Sequence, residues 1–155
     1  HAPRAASAVE QLTRDHKPDD DDEALRIEGA GGSVFDMEDG CGGRVVGPDN
    51  VSMLQTSRSI GDRMFKGSEP PLVPCEPHTR TVVLAPAARD CAFVVVASDG
   101  VWEVLSNERA CESVATALAD GATPYAAAAA LCDLALAKGS EDNIAAAIVL
   151  LSTFR

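Results

Sequence analysis

Several patterns are absent from this sequence of 155 residues, and each absence excludes a class of protein. No stripe rich in lysine or arginine is present, and a formal net charge of −11 argues against nucleic acid as a partner, because phosphates repel an acidic surface. No apolar run approaches the roughly 18 residues of a membrane span. No charged segment followed by an apolar one marks a signal peptide, and no internal repeat is visible. We therefore expect a cytoplasmic or nuclear protein that binds neither nucleic acid nor membranes.

Disulfide and zinc patterns are absent as well. The five cysteines form an odd set without a C-x-x-C pair, which is typical of buried free thiols in a reducing compartment. They are Cys41, Cys75, Cys91, Cys111 and Cys132. The three histidines are scattered and do not form a zinc site, and no hydroxyl or thiol residue stands in a nucleophile elbow.

The composition that remains suits one globular domain, with 46% hydrophobic residues. Its strong acidity has two interpretations. Acidic charge keeps many proteins soluble, and it also suits a protein that gathers divalent cations. Composition alone leaves both open.

The segment from Asp90 to Ser106 carries the clearest pattern. A run of β-branched and aromatic residues predicts a strand buried on both faces, which ends abruptly at Ser98-Asp99-Gly100. A carboxylate at the end of a buried strand is costly to desolvate. We therefore expect a positive partner for Asp99: a metal ion, an arginine or lysine, or the amides of the following helix. A second acidic turn, which contains Asp142, precedes another apolar run at 144–151.

Helix and strand signals surround this segment. Acidic residues at 19–23, followed by an apolar stretch and two glycines at 31 and 32, predict a helix start and stop rather than a metal site. Ser106 and Thr123 are expected to cap two further helices, the second ending at Gly139. Other strands are expected at Val9 to Leu12, in a loose hairpin of Ser33–Phe35 and Arg44–Val46, at Val51 to Thr56 and at Thr79 to Leu84. This order predicts an α+β protein whose helices cover one face of a sheet.

Asp99 and Asp142 are the main candidates for chemistry. If their strands adjoin, both carboxylates reach the same rim of the sheet, where they repel each other unless one is protonated or a cation lies between them. Mg²⁺ and Mn²⁺ accept one or two carboxylates and keep water in their remaining positions. In the alternative, Asp99 caps the following helix and Asp142 makes an Asx turn. The spacing alone leaves both open.

Four other residues are weaker candidates. Glu103, one turn beyond Asp99, either adds a ligand or favours the helix start through its dipole. Arg58 and Asp62 flank a Ser-Ile-Gly turn and are expected to form a local ion pair. His16 is expected to be a hydrogen-bonding residue rather than a general acid or base.

Five segments resemble, in order, the motifs of the metal-dependent protein phosphatase 2C family (PPM-type), and they cover nearly the whole chain after Leu12. They are Leu12–Pro18 (LTRDHKP), Ala24–Gly32 (ALRIEGAGG), Arg44-Val45 followed by Ser57–Asp62 (SRSIGD), Ala97–Val104 (ASDGVWEV) and Gly139–Ile144 (GSEDNI). The resemblance implies part of an α-β-β-α four-layer sandwich, in which helices flank a central β-sandwich. It also implies two Mg²⁺ or Mn²⁺ ions at one edge and hydrolysis of phosphoserine and phosphothreonine in proteins by a metal-activated water.

By this resemblance, Asp99 and Asp142 match two metal-ligand aspartates of the family. Asp62 matches an aspartate that borders the site without being a direct ligand in the usual description. Glu103 stands where many members have an aspartate that helps to bind a third, weaker metal. The connection at 47–54 lies in the flap beside the substrate cleft and looks longer than in many members.

Other family motifs have no counterpart in this sequence. These are the phosphate-binding arginine, an acidic ligand, the Asp-Gly-His-Gly-Gly motif with its bridging aspartate and general-acid histidine, and a Gly-Asp-Ser-Arg strand. We therefore expect a single partial phosphatase domain over residues 1–155, with 1–12 frayed and 36–56 forming an irregular, flap-like hairpin. It would supply two metal ligands and no catalytic residue. Its expected partners are a phosphoprotein substrate and the N-terminal half of the same domain. The alternative is a non-catalytic interaction module on a phosphatase-like scaffold.

Overall fold

The computed structural model describes residues 9–37, 42–83 and 93–151. Its elements, in chain order, are α1 (Asp21–Gly29), β1 (Val34–Asp36), β2 (Gly43–Val46), β3 (Met53–Leu54), a 3₁₀ helix (Arg63–Lys66), β4 (Phe93–Ala97), α2 (Asp99–Trp102), α3 (Asn107–Ala119), α4 (Pro124–Ala137) and β5 (Ala146–Leu150). Contacts divide the chain into an N-terminal unit, Leu12–Arg80, and a C-terminal unit, Thr81–Arg155 with His1–Gln11. Within the described ranges, no helix has the length and apolar character needed to cross a bilayer.

The N-terminal unit combines α1 with an antiparallel sheet in the order β1-β2-β3. Helix α1 begins with three acidic residues, whose charge favours the positive end of the helix dipole, and the chain leaves it through Gly31 at φ 81°. The predicted helix and the predicted hairpin are therefore confirmed. The buried core of the unit consists of Ile27, Val45, Phe65, Leu72 and Val73.

The C-terminal unit is a two-stranded antiparallel sheet with helices packed on one face. Strands β4 and β5 pair from Phe93 opposite Leu150 to Ala97 opposite Ala146. Helices α3 and α4 pack against each other, and α4 also contacts β5. Alternate strand residues pack against the helices, and the buried core consists of Val101, Leu105, Ala110, Val114, Ala127, Leu131 and Ala135. The expectation of neighbouring strands with helices on one face is confirmed.

Strand β4 is not buried on both faces, so that prediction is wrong for the part of the chain that the structure describes. Val95 packs against the helices, but Val96 points to the other face and is 58% exposed. On β5, Val149 lies opposite Val94 and is 50% exposed. Directly paired residues of antiparallel strands share a face, so these side chains form one apolar surface. The surface, called the open face below, consists of Val94, Val96, Ala147 and Val149.

The predicted caps of the two long helices are confirmed. Ser106 Oγ accepts a hydrogen bond from the Arg109 amide at 3.3 Å, and Thr123 Oγ1 accepts one from the Ala126 amide at 3.2 Å. Helix α4 ends before Gly139, which has a φ of 91° that suits glycine. Local side-chain chemistry therefore determines where these helices begin and end.

Other expectations differ from the structure. Residues 9–12 form no strand, only Met53–Leu54 of the expected strand at 51–56 is one, and the described residues 79–83 form none. The thiol of Cys75 is exposed rather than buried, whereas Cys111 and Cys132 are partly buried, and all three are free. Cys41 and Cys91 lie outside the described residues. The assignment of residues 1–155 to one partial domain stays a prediction.

Candidate functional site

The ends of β4 and β5 bring the two acidic turns together. The strands pair directly, and beyond their last ladder pair the Ser98 amide donates to the Ala145 carbonyl at 2.9 Å. Asp99 follows this contact on one segment and Asp142 precedes it on the other. Antiparallel pairing places the end of one strand beside the start of the other, so both aspartates leave the same end of the sheet. The sequence alone leaves open whether the two strands adjoin. In the structure they are neighbours.

The carbonyl of Asn143 is the contact point between the two turns. Ser98 Oγ donates to this carbonyl at 2.9 Å and accepts from the Ala145 amide at 3.0 Å. Gly100 lies against the same carbonyl, and a Cβ at this position would be only 2.7 Å from the oxygen. A larger residue at 100 therefore requires a backbone shift, which explains the glycine by close approach rather than by turn geometry.

Both carboxylates are exposed, and each accepts one local hydrogen bond. Asp99 Oδ1 accepts from the Gly100 amide at 3.1 Å, and Asp142 Oδ1 accepts from the Asn143 amide at 2.7 Å. In the described ranges, neither carboxylate pairs with an arginine or lysine. The only protein partner of the Asp99 carboxylate seen there is thus the amide that follows it. The expected desolvation cost is absent, because the side chain lies in water.

The carboxylates of Asp99 and Asp142 are the type of ligand that a hard divalent cation prefers, but two carboxylates are too few for a complete site. Carboxylate oxygens are preferred ligands of Mg²⁺ and Mn²⁺, and both carboxylates retain acceptor capacity. Glu103 is also exposed, and its backbone amide donates to the Asp99 carbonyl at 2.9 Å, one helical turn away. Among the described residues, no three histidine, cysteine, aspartate or glutamate side chains are grouped to hold a metal. Asp99 and Asp142 therefore fit part of a metal site, and their assignment as ligands stays a prediction.

The Ser57–Asp62 turn lies in the N-terminal unit. Asp62 is exposed and adopts a left-handed backbone, with a φ of 47°, where the 3₁₀ helix begins. The expected ion pair between Arg58 and Asp62 is wrong, because Arg58 pairs with Glu23 instead. Arg58 thus pairs with a carboxylate 35 residues earlier in the chain rather than with the nearby Asp62.

Glu23 is the centre of a buried ion network. Its side chain is 1% exposed, although it belongs to an acidic run expected at a helix start. Arg58 donates to Oε1 through Nε at 3.0 Å and also through Nη2, and Arg26 donates to Oε2 through Nη2 at 2.7 Å. His16 Nδ1 lies 3.6 Å from Oε1, and neither ring nitrogen has a hydrogen-bond partner among the described residues. The hydrogen bond expected of His16 is made by its backbone carbonyl, which accepts from the Ser57 amide at 3.2 Å.

The two arginines connect this carboxylate to three backbone carbonyls. Arg26 donates to the Ser57 carbonyl at 2.9 Å and to the Leu72 carbonyl at 3.0 Å. Arg58 donates to the Glu76 carbonyl at 2.9 Å. Helix α1, the Ser57–Asp62 turn and the segment from Leu72 to Glu76 are thus joined through guanidinium groups.

Electrostatics in this network favour the ionised carboxylate. Desolvation alone would raise the pKa of Glu23, but hydrogen bonds from Arg58 and Arg26 outweigh it and lower the pKa from 4.5 to about 2. The same contact raises the pKa of Arg58 above its ordinary value. The network is therefore a set of fixed charges under neutral conditions.

The spacing of residues along α1 indicates this network in the sequence. Glu23 stands four residues before Ile27, so both side chains lie on one face of α1, and Ile27 is completely buried. A carboxylate on the buried face of a helix requires a cationic partner. The partner, Arg58, is 35 residues away, and no local pattern connects the two positions.

The fold matches that of solved structures, among them a protein phosphatase. The crystal structure of serine-threonine phosphatase 2C from Toxoplasma gondii superposes with a TM-score of 0.77 and 32% sequence identity, over 90% of this chain and 46% of that chain. The structure of a C. elegans sex determining protein superposes with a TM-score of 0.72 and 30% identity, over 91% of this chain and 32% of that chain. The chain therefore has an α+β fold that is part of a phosphatase domain, and the expected fold class is confirmed.

Sequence comparison identifies the family. A sequence model of the family Protein phosphatase 2C matches residues 4–144, and the chain belongs to this family. Probable protein phosphatase 2C 8 of Oryza sativa subsp. japonica is 39% identical over 93% of this chain, and Protein phosphatase 2C 56 of Arabidopsis thaliana is 40% identical over 93%. The chain spans 35% of the length of each of these two relatives.

Proposed function

We propose that this chain is the C-terminal part of a metal-dependent protein serine/threonine phosphatase, which hydrolyses phosphoserine and phosphothreonine in phosphoproteins of the cytoplasm or nucleus. The main support is the direct pairing of β4 with β5, from which Asp99 and Asp142 leave at one end of the sheet. Membership of the protein phosphatase 2C family supports the reaction class. Bound Mg²⁺ or Mn²⁺ would supply Lewis acidity and an activated water for attack on the phosphoester.

In this proposal the chain contributes ligands and no general acid or phosphate-binding group. Asp99 and Asp142 would bind and orient the cation, and the remaining ligands would come from the N-terminal half of the same domain. The open face supports this partner, because a contiguous apolar sheet surface is normally covered in a folded domain. The chain also covers only 46% of the Toxoplasma phosphatase that it superposes on.

Calorimetric titration of the 155-residue chain with Mn²⁺ tests the ligand assignment. We expect weak binding by the unmodified chain and no detectable binding after Asp142→Ala or Asp99→Asn. Asp133→Asn is the matched control, since Asp133 is an exposed acid on α4 of the same unit. If the Asp142→Ala variant binds Mn²⁺ as the unmodified chain does, the ligand assignment is wrong.

An activity assay tests the proposal that the chain holds only part of the site. With Mn²⁺ and a phosphopeptide, the 155-residue chain should show little or no turnover, because two carboxylates alone do not complete a two-metal site. Robust turnover that Asp99→Asn abolishes would refute the need for the other half of the domain.

A non-catalytic interaction module is the second candidate, and the open face is the observation that favours it. In that case the apolar surface would bind a partner protein, and the two aspartates would serve only as turn-forming residues. The Mn²⁺ titration separates the two candidates, since an interaction module requires no change in cation binding when Asp99 or Asp142 is replaced.

A further inference from the structure

The hydroxyl of Ser98 takes the place of a backbone group where the β4-β5 ladder ends. Its Oγ accepts a hydrogen bond from the Ala145 amide at 3.0 Å and donates one to the Asn143 carbonyl at 2.9 Å. The Ser98 amide also donates to the Ala145 carbonyl at 2.9 Å. A single residue thus makes three hydrogen bonds to the short segment that leads into β5.

These contacts are the complete hydrogen-bonded link between the acidic turns in the described part of the chain. Every hydrogen bond that joins residues 98–103 to residues 141–145 there involves Ser98. The two carboxylates do not link the turns themselves, because among the described residues each carboxylate bonds only to the amide of the following residue. Their separation is therefore set by the backbone segments that carry them.

We propose that Ser98 is a positioning residue for a cation held between Asp99 and Asp142. Its hydroxyl fixes the backbone on both sides of the ladder end, and Gly100 allows the close approach of the Asn143 carbonyl that this arrangement needs. The inference rests on the proposed function, since the spacing of the two carboxylates matters only if they act on one ion.

The chemistry of the hydroxyl explains why serine suits this position. Only a group that is both donor and acceptor can satisfy the Asn143 carbonyl and the Ala145 amide at once. Alanine removes both bonds, cysteine keeps the shape with a weak donor and acceptor, and threonine keeps the hydroxyl. Without the two hydroxyl bonds, the bond from the Ser98 amide to the Ala145 carbonyl is what remains of the link among the described residues. The two turns are then held less firmly, and divalent cations bind less tightly when their carboxylate ligands are not held in place.

The test is Mn²⁺ titration of the 155-residue chain and of four variants. Calorimetry and water-proton relaxation measure the binding. We expect Ser98→Ala to weaken Mn²⁺ binding about 10-fold, as is typical when a residue that orients a metal ligand is lost. Ser98→Cys should weaken it in the same direction, and Ser98→Thr should restore most of the affinity. Ser106→Ala is the matched control: it removes a serine hydrogen bond that caps α3 in the same unit but lies outside both acidic turns.

Two measurements distinguish the positioning role of Ser98 from a purely structural role. Thermal unfolding should give similar midpoints for Ser98→Ala and Ser106→Ala, while only the former changes Mn²⁺ affinity. In the metal-free chain, hydrogen exchange of the Ala145 amide should speed up in Ser98→Ala and remain slow in Ser98→Thr. Equal Mn²⁺ affinities of Ser98→Ala and Ser106→Ala would overturn the inference, as would unchanged exchange at Ala145.

The failure of the proposed function has a different signature. If the unmodified chain binds Mn²⁺ and Asp99→Asn abolishes it, the ligand assignment holds, and only the Ser98 comparison decides the positioning role. If the unmodified chain binds no Mn²⁺, or if Asp99→Asn binds Mn²⁺ as tightly as the unmodified chain does, the ligand assignment is wrong. The positioning role of Ser98 is then wrong as well.

Discussion

Arg58 donates two hydrogen bonds to a single carboxylate oxygen of Glu23, 35 residues earlier in the chain. Arg26 occupies the other oxygen of the same carboxylate. The Glu23 side chain is almost fully buried, so removal of its charge would leave two guanidinium groups without their shared counter-ion. The contribution of this network to stability can therefore be tested at one position.

Glu23→Gln should destabilise the chain by about 3 kcal/mol, because breaking a buried ion pair leaves the opposite charge uncompensated. Urea unfolding monitored by circular dichroism measures the change. The control is Asp22→Asn, which removes an exposed ion pair with Arg14 and should have a much smaller effect. Equal losses in the two variants would show that burial does not strengthen the Glu23 network.

Acidification should remove the advantage that Glu23 confers. The pKa of Glu23 is about 2 in the folded chain against an ordinary value of 4.5, so the unfolded chain binds the proton more tightly. The stabilisation is complete above the unfolded value and is lost as the pH falls through the folded one. We expect the stability difference between the unmodified chain and Glu23→Gln to shrink between about pH 5 and about pH 2. Urea midpoints of both proteins across this range measure it, and a constant difference would contradict the lowered pKa.

Gly100→Ala should destabilise the C-terminal unit by about 1–3 kcal/mol, because the new Cβ collides with the Asn143 carbonyl and no flexible side chain can yield. Thermal unfolding measures the loss. Gly29→Ala is the control: nothing lies within 4 Å of a Cβ at that position, and alanine is the better helix former. A Gly100→Ala variant as stable as Gly29→Ala would show that the turns separate without cost.

The open face should cause the 155-residue chain to self-associate. Replacement of Val96, which is 58% exposed, by lysine should reduce association and change the unfolding free energy by less than about 1 kcal/mol. Sedimentation velocity measures the association. Leu136→Lys is the control, since Leu136 is 63% exposed on α4 and lies outside the open face. If both variants or neither change the sedimentation profile, the open face is not the contact surface.

The thiols should react in the order of their exposure. Cys75 is exposed, whereas burial, with the nearby Glu108 charge, raises the pKa of Cys111 and so lowers its thiolate fraction. We expect alkylation of Cys75 to be about 10-fold faster than that of Cys111 near neutral pH. Peptide mapping by mass spectrometry measures both rates, and unfolding in urea should bring them together. Equal rates in the folded chain would contradict the burial of Cys111.

Local signals predict the C-terminal unit well. Ser106 and Thr123 cap their helices through hydrogen bonds within three residues, so the sequence around each cap contains what determines it. The apolar run before Ser98 likewise predicts β4. The exposure of one face of β4 could not be predicted in the same way. A strand covered on one face and a strand covered on both faces can have the same apolar run.

Contacts between distant residues are what the sequence does not reveal. The spacing predicts Asp62, four positions away, as the partner of Arg58, but burial of Glu23 on the inner face of α1 decides the pairing. At the candidate site, the acidic turns mark Asp99 and Asp142 as a pair. The role of Ser98 depends on Asn143 and Ala145, which no spacing rule associates with it.

The pairing of β4 with β5 also constrains the order of folding. Ala97 and Ala146 lie opposite each other although roughly 50 residues separate them, so closing this loop in an unfolded chain is entropically unfavourable. Helices α3 and α4 form from local contacts and bring the two ends of the loop nearer to each other. The helical hairpin is therefore expected to form first, and the end of the sheet that carries both aspartates is expected to assemble last.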